Sequence, residues 1–171
     1  MSNLNKILCV TYRTWANEIY NLLSEALPDR SFKIINLTDL SCNSNDIESV
    51  IYDFNPDLIL WYGWSWLVPE QIIDQYFSLC LHPSRLPKHR GGSPIQNQIS
   101  EGVKDSAVTI FKMGKGLDDG DVLAQLPLSL EGNVEKIFGR MTEVGFSATF
   151  DILSKGYSLR EQNHEQATRY K

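Results

Sequence analysis

Cys80–Gln96 reads CLHPSRLPKHRGGSPIQ. The apolar run Phe77–Leu81 ends on a histidine and a proline, the pattern of a strand emerging at the rim of a sheet. Pro83, Pro87 and the Gly91-Gly92 pair then force an irregular loop before Pro94. Loops carried on rigid strands are where reactive groups concentrate. His82 is therefore a candidate hydrogen-bond donor or general base, because imidazole titrates near neutrality. A core histidine bonded to backbone is the alternative. His89, between Lys88 and Arg90, reads as a solvated loop residue, and His164 as a surface residue of a polar tail.

Three more short apolar runs precede this stretch: Lys6–Thr11, Phe32–Leu37 and Leu58–Tyr62. Between the first two, Thr14 is a candidate N-cap, and Trp15, Ile19, Leu22, Leu23 and Ala26 recur at helical spacing until Pro28. A polar loop over Cys42–Asp46 precedes a short helix with Ile47, Val50, Ile51 and Phe54 on one face. Pro69 and Glu70 open another, running through Tyr76. Strands separated by helices predict parallel βαβ units in a doubly wound sheet, whose ligands bind outside the carboxyl ends of the strands. Downstream, a helix is expected from Ser93–Pro94 with Ile95 and Ile99 facing inward. Strands follow over Ala107–Lys112, with Val108 and Ile110 on one face, and over Val122–Leu130, joined by the tight loop Gly114–Asp121. Val134, Ile137, Phe138, Met141, Val144, Ala148 and Ile152 form the stripe of a long amphipathic helix. The expected class is α/β, a mostly parallel twisted sheet flanked by helices. Residues 1–157 form one domain and 158–171 a polar, irregular tail.

The net charge of −5 argues against nonspecific nucleic-acid binding, which needs basic patches. The three cysteines, Cys9, Cys42 and Cys80, are odd in number and lack metal-ligand spacing, which fits a reducing compartment. No apolar run approaches the ~18 residues of a membrane span. The N-terminus carries no signal-peptide pattern. A cytoplasmic protein with no membrane partner and no bound metal is expected.

Asp118, Asp119 and Asp121 cluster in a glycine-bounded loop. They lack the spacing and terminal glutamate of an EF-hand, and read either as a solvated acidic turn or as a carboxylate facing His82. Trp61, Trp64 and Trp66 are either core or, over Trp64, Ser65, Trp66 and Leu67, the wall for a flat apolar heterocycle. Arg85, Lys88 and Arg90 are either a solvated basic loop or contacts for an anionic substrate.

The run LHPSRLPKHRGGSPIQ, followed by VTIFKMGKGLDDGDVLAQ at 108–125, resembles the core of the 10-formyltetrahydrofolate-dependent formyltransferases. Within that family the likeness is to methionyl-tRNA formyltransferase catalytic domains and to sugar N-formyltransferases. Residues 162–168, QNHEQAT, resemble the linker after that domain. The resemblance is specific over residues 55–170 and one of layout before that. It implies a Rossmann-like formyltransferase fold and direct transfer of a formyl group from 10-formyltetrahydrofolate, as cosubstrate, to a primary amine. By position, His82 matches the family histidine and Asp118 the family aspartate. The family asparagine two residues before the histidine is here Cys80, and a thiol is a weaker donor to a developing oxyanion. The pterin is expected against Trp64–Leu67 and Lys115, Gly116, Leu117 and Asp118, and the acceptor near Arg13, Ser84, Lys88, Arg90 and Gly91.

The acidic charge and the end of the chain at Lys171 set the expectation away from tRNA. Tyr12-Arg13-Thr14-Trp15, where glycinamide ribonucleotide enzymes carry a glycine-rich phosphate loop, sets it away from purine synthesis. The expected acceptor is a small amine, a nucleotide-linked amino sugar of surface polysaccharide synthesis. The alternatives are a carrier-bound amino acid, methionyl-tRNA, a hydrolase releasing formate, and a non-catalytic folate-binding module made inert by Cys80.

Overall fold

The computed structural model describes residues 3–37 and 44–171. Along these residues the strands are β1 (Lys6–Thr11), β2 (Ser31–Asn36), β3 (Leu58–Leu60), β4 (Ser78–His82), β5 (Asp105–Lys112) and β6 (Val122–Ser129). The helices are α1 (Thr14–Ala26), α2 (Ser44–Phe54), α3 (Glu70–Gln75), α4 (Pro94–Ser100) and α5 (Val134–Lys155), with a 3-10 turn at His164–Gln166. The strand order is β2-β1-β3-β4-β5-β6. Backbone contacts divide the chain into two compact units, Met1–Leu79 and Cys80–Lys171.

In the first unit β1 pairs in parallel with β2 (Lys6↔Ser31) and with β3 (Cys9↔Leu60), and β3 with the start of β4 (Ile59↔Ser78). Ile7, Leu8, Cys9 and Val10 are all fully buried. A strand covered on both faces reads as a continuous apolar run, which is what KILCVT is. The Tyr20 hydroxyl accepts from the Tyr62 amide at 2.8 Å and lies 3.0 and 2.9 Å from the Val10 and Leu60 carbonyls. One buried phenol thus ties the carboxyl ends of β1 and β3.

In the second unit β5 and β6 are antiparallel, from Asp105↔Ser129 to Phe111↔Val122. α5 packs on both. The Asn133 side chain caps α5, accepting from the Lys136 amide at 2.9 Å. Ile137, Met141, Ala148 and Ile152 are buried as the periodicity requires, each large apolar side chain contributing roughly 1.5–3 kcal/mol. Thr109 Oγ1 donates to the Ser84 carbonyl at 2.6 Å, and Gln98 Nε2 to the Pro83 carbonyl at 2.8 Å. These bonds fix the loop that leaves β4 at His82.

Several expectations are corrected. Thr14 is the first residue of α1 rather than its cap; Arg13 occupies the cap position, without a side-chain bond. α2 begins at Ser44, inside the expected Cys42–Asp46 loop, while Cys42 lies outside the described residues. Ile99 is exposed, and the inward position on α4 belongs to Gln98, whose amide is consumed by Pro83, Pro94 and Ser106. β5 is buried on both faces from Ser106 to Phe111, so its apparent alternation understated its burial. Val134, at the first turn of α5, is exposed.

Candidate active site

His82 is the last residue of β4, and strand alternation puts it on the same face as Cys80. Its Nε2 lies 2.7 Å from the His89 carbonyl. A carbonyl only accepts, so Nε2 carries the hydrogen. Nδ1 is then the nitrogen left for proton traffic. It faces Asp118 Oδ2 at 3.6 Å, with side-chain exposures of 7% and 16%. The separation is within ion-pair range and beyond hydrogen-bond length. The pair is therefore sheltered yet open to a small reacting group.

Asp118 sits in the loop between β5 and β6 with φ +51°, a left-handed conformation that aspartate adopts more readily than most residues. Its Oδ2 accepts from the Gly91 amide at 2.8 Å. Oδ1 has no hydrogen-bond partner among the described residues. Gly91 has φ +98°, and a Cβ there would stand 2.6 Å from the Tyr170 carbonyl oxygen, so no larger residue fits.

The residues after α5 lie along this loop system. Arg160 and Val122 exchange two backbone bonds at 2.8 and 2.9 Å. The Arg90 amide donates to the Thr168 carbonyl at 2.9 Å and the Tyr170 amide to the Arg90 carbonyl at 2.8 Å. Arg90 itself is buried. Its guanidinium donates to Gln162 Oε1 at 2.8 and 3.3 Å and to His164 Nδ1 at 2.9 Å. Burial holds that guanidinium below its ordinary range, against the pull of the Asp119 and Asp118 carboxylates. Gln162 Nε2 donates to the Asp118 carbonyl at 3.0 Å and the Gly120 carbonyl at 2.7 Å.

Cys80 packs against Leu86, Phe111 and Val122, and its thiol points to the Leu81 carbonyl at 3.8 Å. Burial, then the nearby Asp118 charge, pushes the thiol well above its ordinary range, so it is neither a nucleophile nor a ready donor. Ser84 is fully buried and its hydroxyl donates to the Lys88 carbonyl at 2.7 Å. Ser84 and Arg90 are thus internal supports of the loop, whereas Lys88 is exposed. Lys115, Gly116 and Leu117 are exposed beside Asp118 in sequence. His89, read from sequence as solvated, is half-buried. It stacks on Tyr170 at 5.4 Å between centroids and lies 2.6 Å from its hydroxyl. In the first unit Tyr12, Trp64 and Trp66 form an aromatic cluster with centroids 4.7 to 6.2 Å apart. Ser65 Oγ lies 2.6 Å from the Tyr12 hydroxyl, the Arg13 guanidinium covers the Tyr12 ring at 4.5 Å, and Leu67 is almost wholly exposed. The buried Trp64 Nε1 has no hydrogen-bond partner among the described residues. Among the described residues no helix is long and apolar enough to cross a membrane, and no group of His, Cys, Asp and Glu is placed to hold a metal.

The family model described as formyl transferase matches residues 2–147. The chain belongs to the formyl transferase family. Among curated relatives, the methionyl-tRNA formyltransferase of Rickettsia massiliae is 35% identical over 114 residues, 64% of this chain and 38% of its own length. The chain therefore matches well under half of that relative's length. Among solved structures, methionyl-tRNA formyltransferase from Clostridium thermocellum superposes with TM-score 0.84 at 28% identity, covering 98% of this chain and 72% of that one. HypX from Aquifex aeolicus, in complex with tetrahydrofolic acid, gives 0.84 at 18% identity, over 98% and 30% of the two chains. A sugar N-formyltransferase from a Shewanella species gives 0.75 at 15% identity, over 98% and 76%. The last two are likenesses of fold.

Two groups of this formyl transferase family chain escaped the sequence reading. The His89 carbonyl that fixes the His82 tautomer is a backbone atom and has no residue signature. Gln162 lies in a polar tail whose only signal was its likeness to a linker. A cavity of about 360 Å³ lies among Arg85, Lys88, Val122, Gln125, Arg160 and Gln162; neither His82 nor Asp118 lines it.

Proposed function

We propose that this chain transfers a formyl group from 10-formyltetrahydrofolate to a primary amine, and that the amine is carried by a nucleotide-linked amino sugar. The observation that carries the reading is the His82–Asp118 pair: Nδ1 faces Oδ2 at 3.6 Å while Nε2 is committed to the His89 carbonyl. In the reaction the amine nitrogen bonds to the formyl carbon and the bond from that carbon to folate N10 breaks. The proton lost by the amine ends on N10. His82 works through the Nδ1 lone pair, which takes the proton from the attacking amine and passes it to N10. The Asp118 carboxylate faces that nitrogen and offsets the charge it gains, with Oδ2 anchored on the Gly91 amide. General acid–base help of this kind is worth ~100-fold or more. The exposed Lys115–Leu117 backbone supports a role in holding the folate, since the edge of a pterin asks for N–H and C=O groups. Lys88 is proposed to meet the diphosphate of the acceptor.

The net charge of −5 supports a small acceptor over a polyanion. Methionyl-tRNA is the second reading, favoured by the names of the curated relative and of the Clostridium structure. The test is incubation with 10-formyltetrahydrofolate and either a panel of nucleotide-linked amino sugars or methionyl-tRNA, with mass spectrometry for a gain of one formyl group. Formylation of an amino sugar is expected. His82→Ala and Asp118→Ala should each lose at least ~100-fold in kcat; near-normal turnover in either would remove it from its assigned role. Binding of the folate without turnover, unrestored by Cys80→Asn, would make the chain a binding module instead.

A further inference from the structure

We infer that Gln162 is a positioning residue for the transfer, setting where the Asp118 carboxylate stands relative to His82; the inference rests on the proposed role of that pair. A primary amide has two hydrogens to donate and two lone pairs to accept with. Gln162, buried in its surroundings, uses all four. Both hydrogens go to the loop that carries the aspartate, at the Asp118 carbonyl (3.0 Å) and the Gly120 carbonyl (2.7 Å). Both acceptor sites face the Arg90 guanidinium, at 2.8 and 3.3 Å. Arg90 is in turn the residue before Gly91, whose amide holds Asp118 Oδ2 at 2.8 Å. One side chain therefore grips the aspartate twice, at its own carbonyl and through the neighbour of its carboxylate's donor.

The grip acts on Asp118 at φ +51°, in a loop whose preceding residue, Leu117, is exposed. A non-glycine residue held in the left-handed region depends on its surroundings to stay there, and residues 115–117 before it are exposed. Gly120 adds to the demand. A Cβ there would overlap the Lys112 carbonyl oxygen, so the loop returns closely onto the end of β5, and Asp119 folds against Gly116 within it. A restraint also comes from outside the loop, from Gln162, more than forty residues downstream in the chain. A reacting pair displaced by about 1 Å loses on the order of 100-fold in rate.

The test compares Gln162→Ala and Gln162→Glu in the whole chain. Glutamate keeps acceptors for Arg90 and loses both donors to the loop, so it separates support of Arg90 from placement of Asp118. Both variants are expected to lose ~10- to 100-fold in kcat, with KM for either substrate within ~3-fold of wild type. The Gly91 amide should exchange with solvent faster in both, because its acceptor is no longer held. That readout needs no turnover. A wild-type chain that transfers no formyl group would remove the proposed function, while the Gly91 amide would still decide the placement. If Gln162→Ala does not fold, Gln162→Glu carries the test alone. Gln162→Glu with unchanged kcat, or with a Gly91 amide as protected as in wild type, would overturn the inference.

Discussion

Cys80 occupies a position where the resembling enzymes carry an asparagine, two residues before His82 on the same strand face. Its thiol points to the Leu81 carbonyl and is kept protonated, first by burial and then by the Asp118 charge. A group in that state neither attacks nor stabilises a developing oxyanion well. In the proposed transfer His82 Nδ1 is then the side-chain nitrogen left to move the proton. Cys80→Ala should keep kcat within ~3-fold, since little donor strength is lost. The native thiol should resist iodoacetamide at about pH 9, where an ordinary cysteine is largely thiolate. Rapid alkylation, or a ~100-fold loss in Cys80→Ala, would give the sulfur a chemical role. The residue types of this site were legible in the sequence because His82 and Asp118 sit in dense, punctuated motifs. What holds them was not: the His89 carbonyl and the Gly91 amide are backbone groups, which no side-chain type announces.

At the scale of elements, the hydrophobic pattern located β1–β6 and α1–α5 to within a few residues among the described residues. It missed where polar groups take over core positions, as Gln98 does on α4. It also treated the residues after α5 as a tail, because they have no apolar period to betray that they are held. Hydrogen bonds hold them instead: to Val122, Arg90, His89 and, through Gln162, to the Asp118 loop. Tyr170 is one of these ties. Its hydroxyl lies 2.6 Å from His89 Nδ1 and donates to Glu101 at 3.0 Å. Burial, then the bond to Glu101 and its charge, pushes the phenol up to about 12. A folded-state value above the ordinary ~10 means the stabilisation is complete below pH ~10 and is lost as pH rises towards the raised value. Unfolding free energy of the wild type should therefore fall more between pH ~10 and pH ~12 than that of Tyr170→Phe, followed by urea titration. Parallel pH dependence in the two would show that the phenol titrates normally.

Across the whole molecule, the first unit was the easier to read. Its strands β1 and β3 are buried on both faces and announce themselves as unbroken apolar runs, with helices between the strands that require parallel pairing. The second unit needed motifs, because its chemistry lies in loops whose shape is set by glycine, proline and long-range bonds. The acceptor is a question for the molecule as a whole, since it turns on summed charge. At −5 the chain offers a polyanion little long-range attraction, and contacts between protein and phosphate weaken steeply with salt. A nucleotide-linked sugar carries only a diphosphate, which a few local cations such as Lys88 can meet. Formyl transfer to the amino sugar should therefore fall no more than ~10-fold between 50 and 200 mM salt, on the order of the change expected for one or two phosphate contacts. Uncharged competitors aside, micromolar tRNA should leave that rate unchanged. Inhibition by tRNA that fades as salt is raised would instead mark a phosphate-tracking surface on this chain, and would move the acceptor assignment to the aminoacylated nucleic acid.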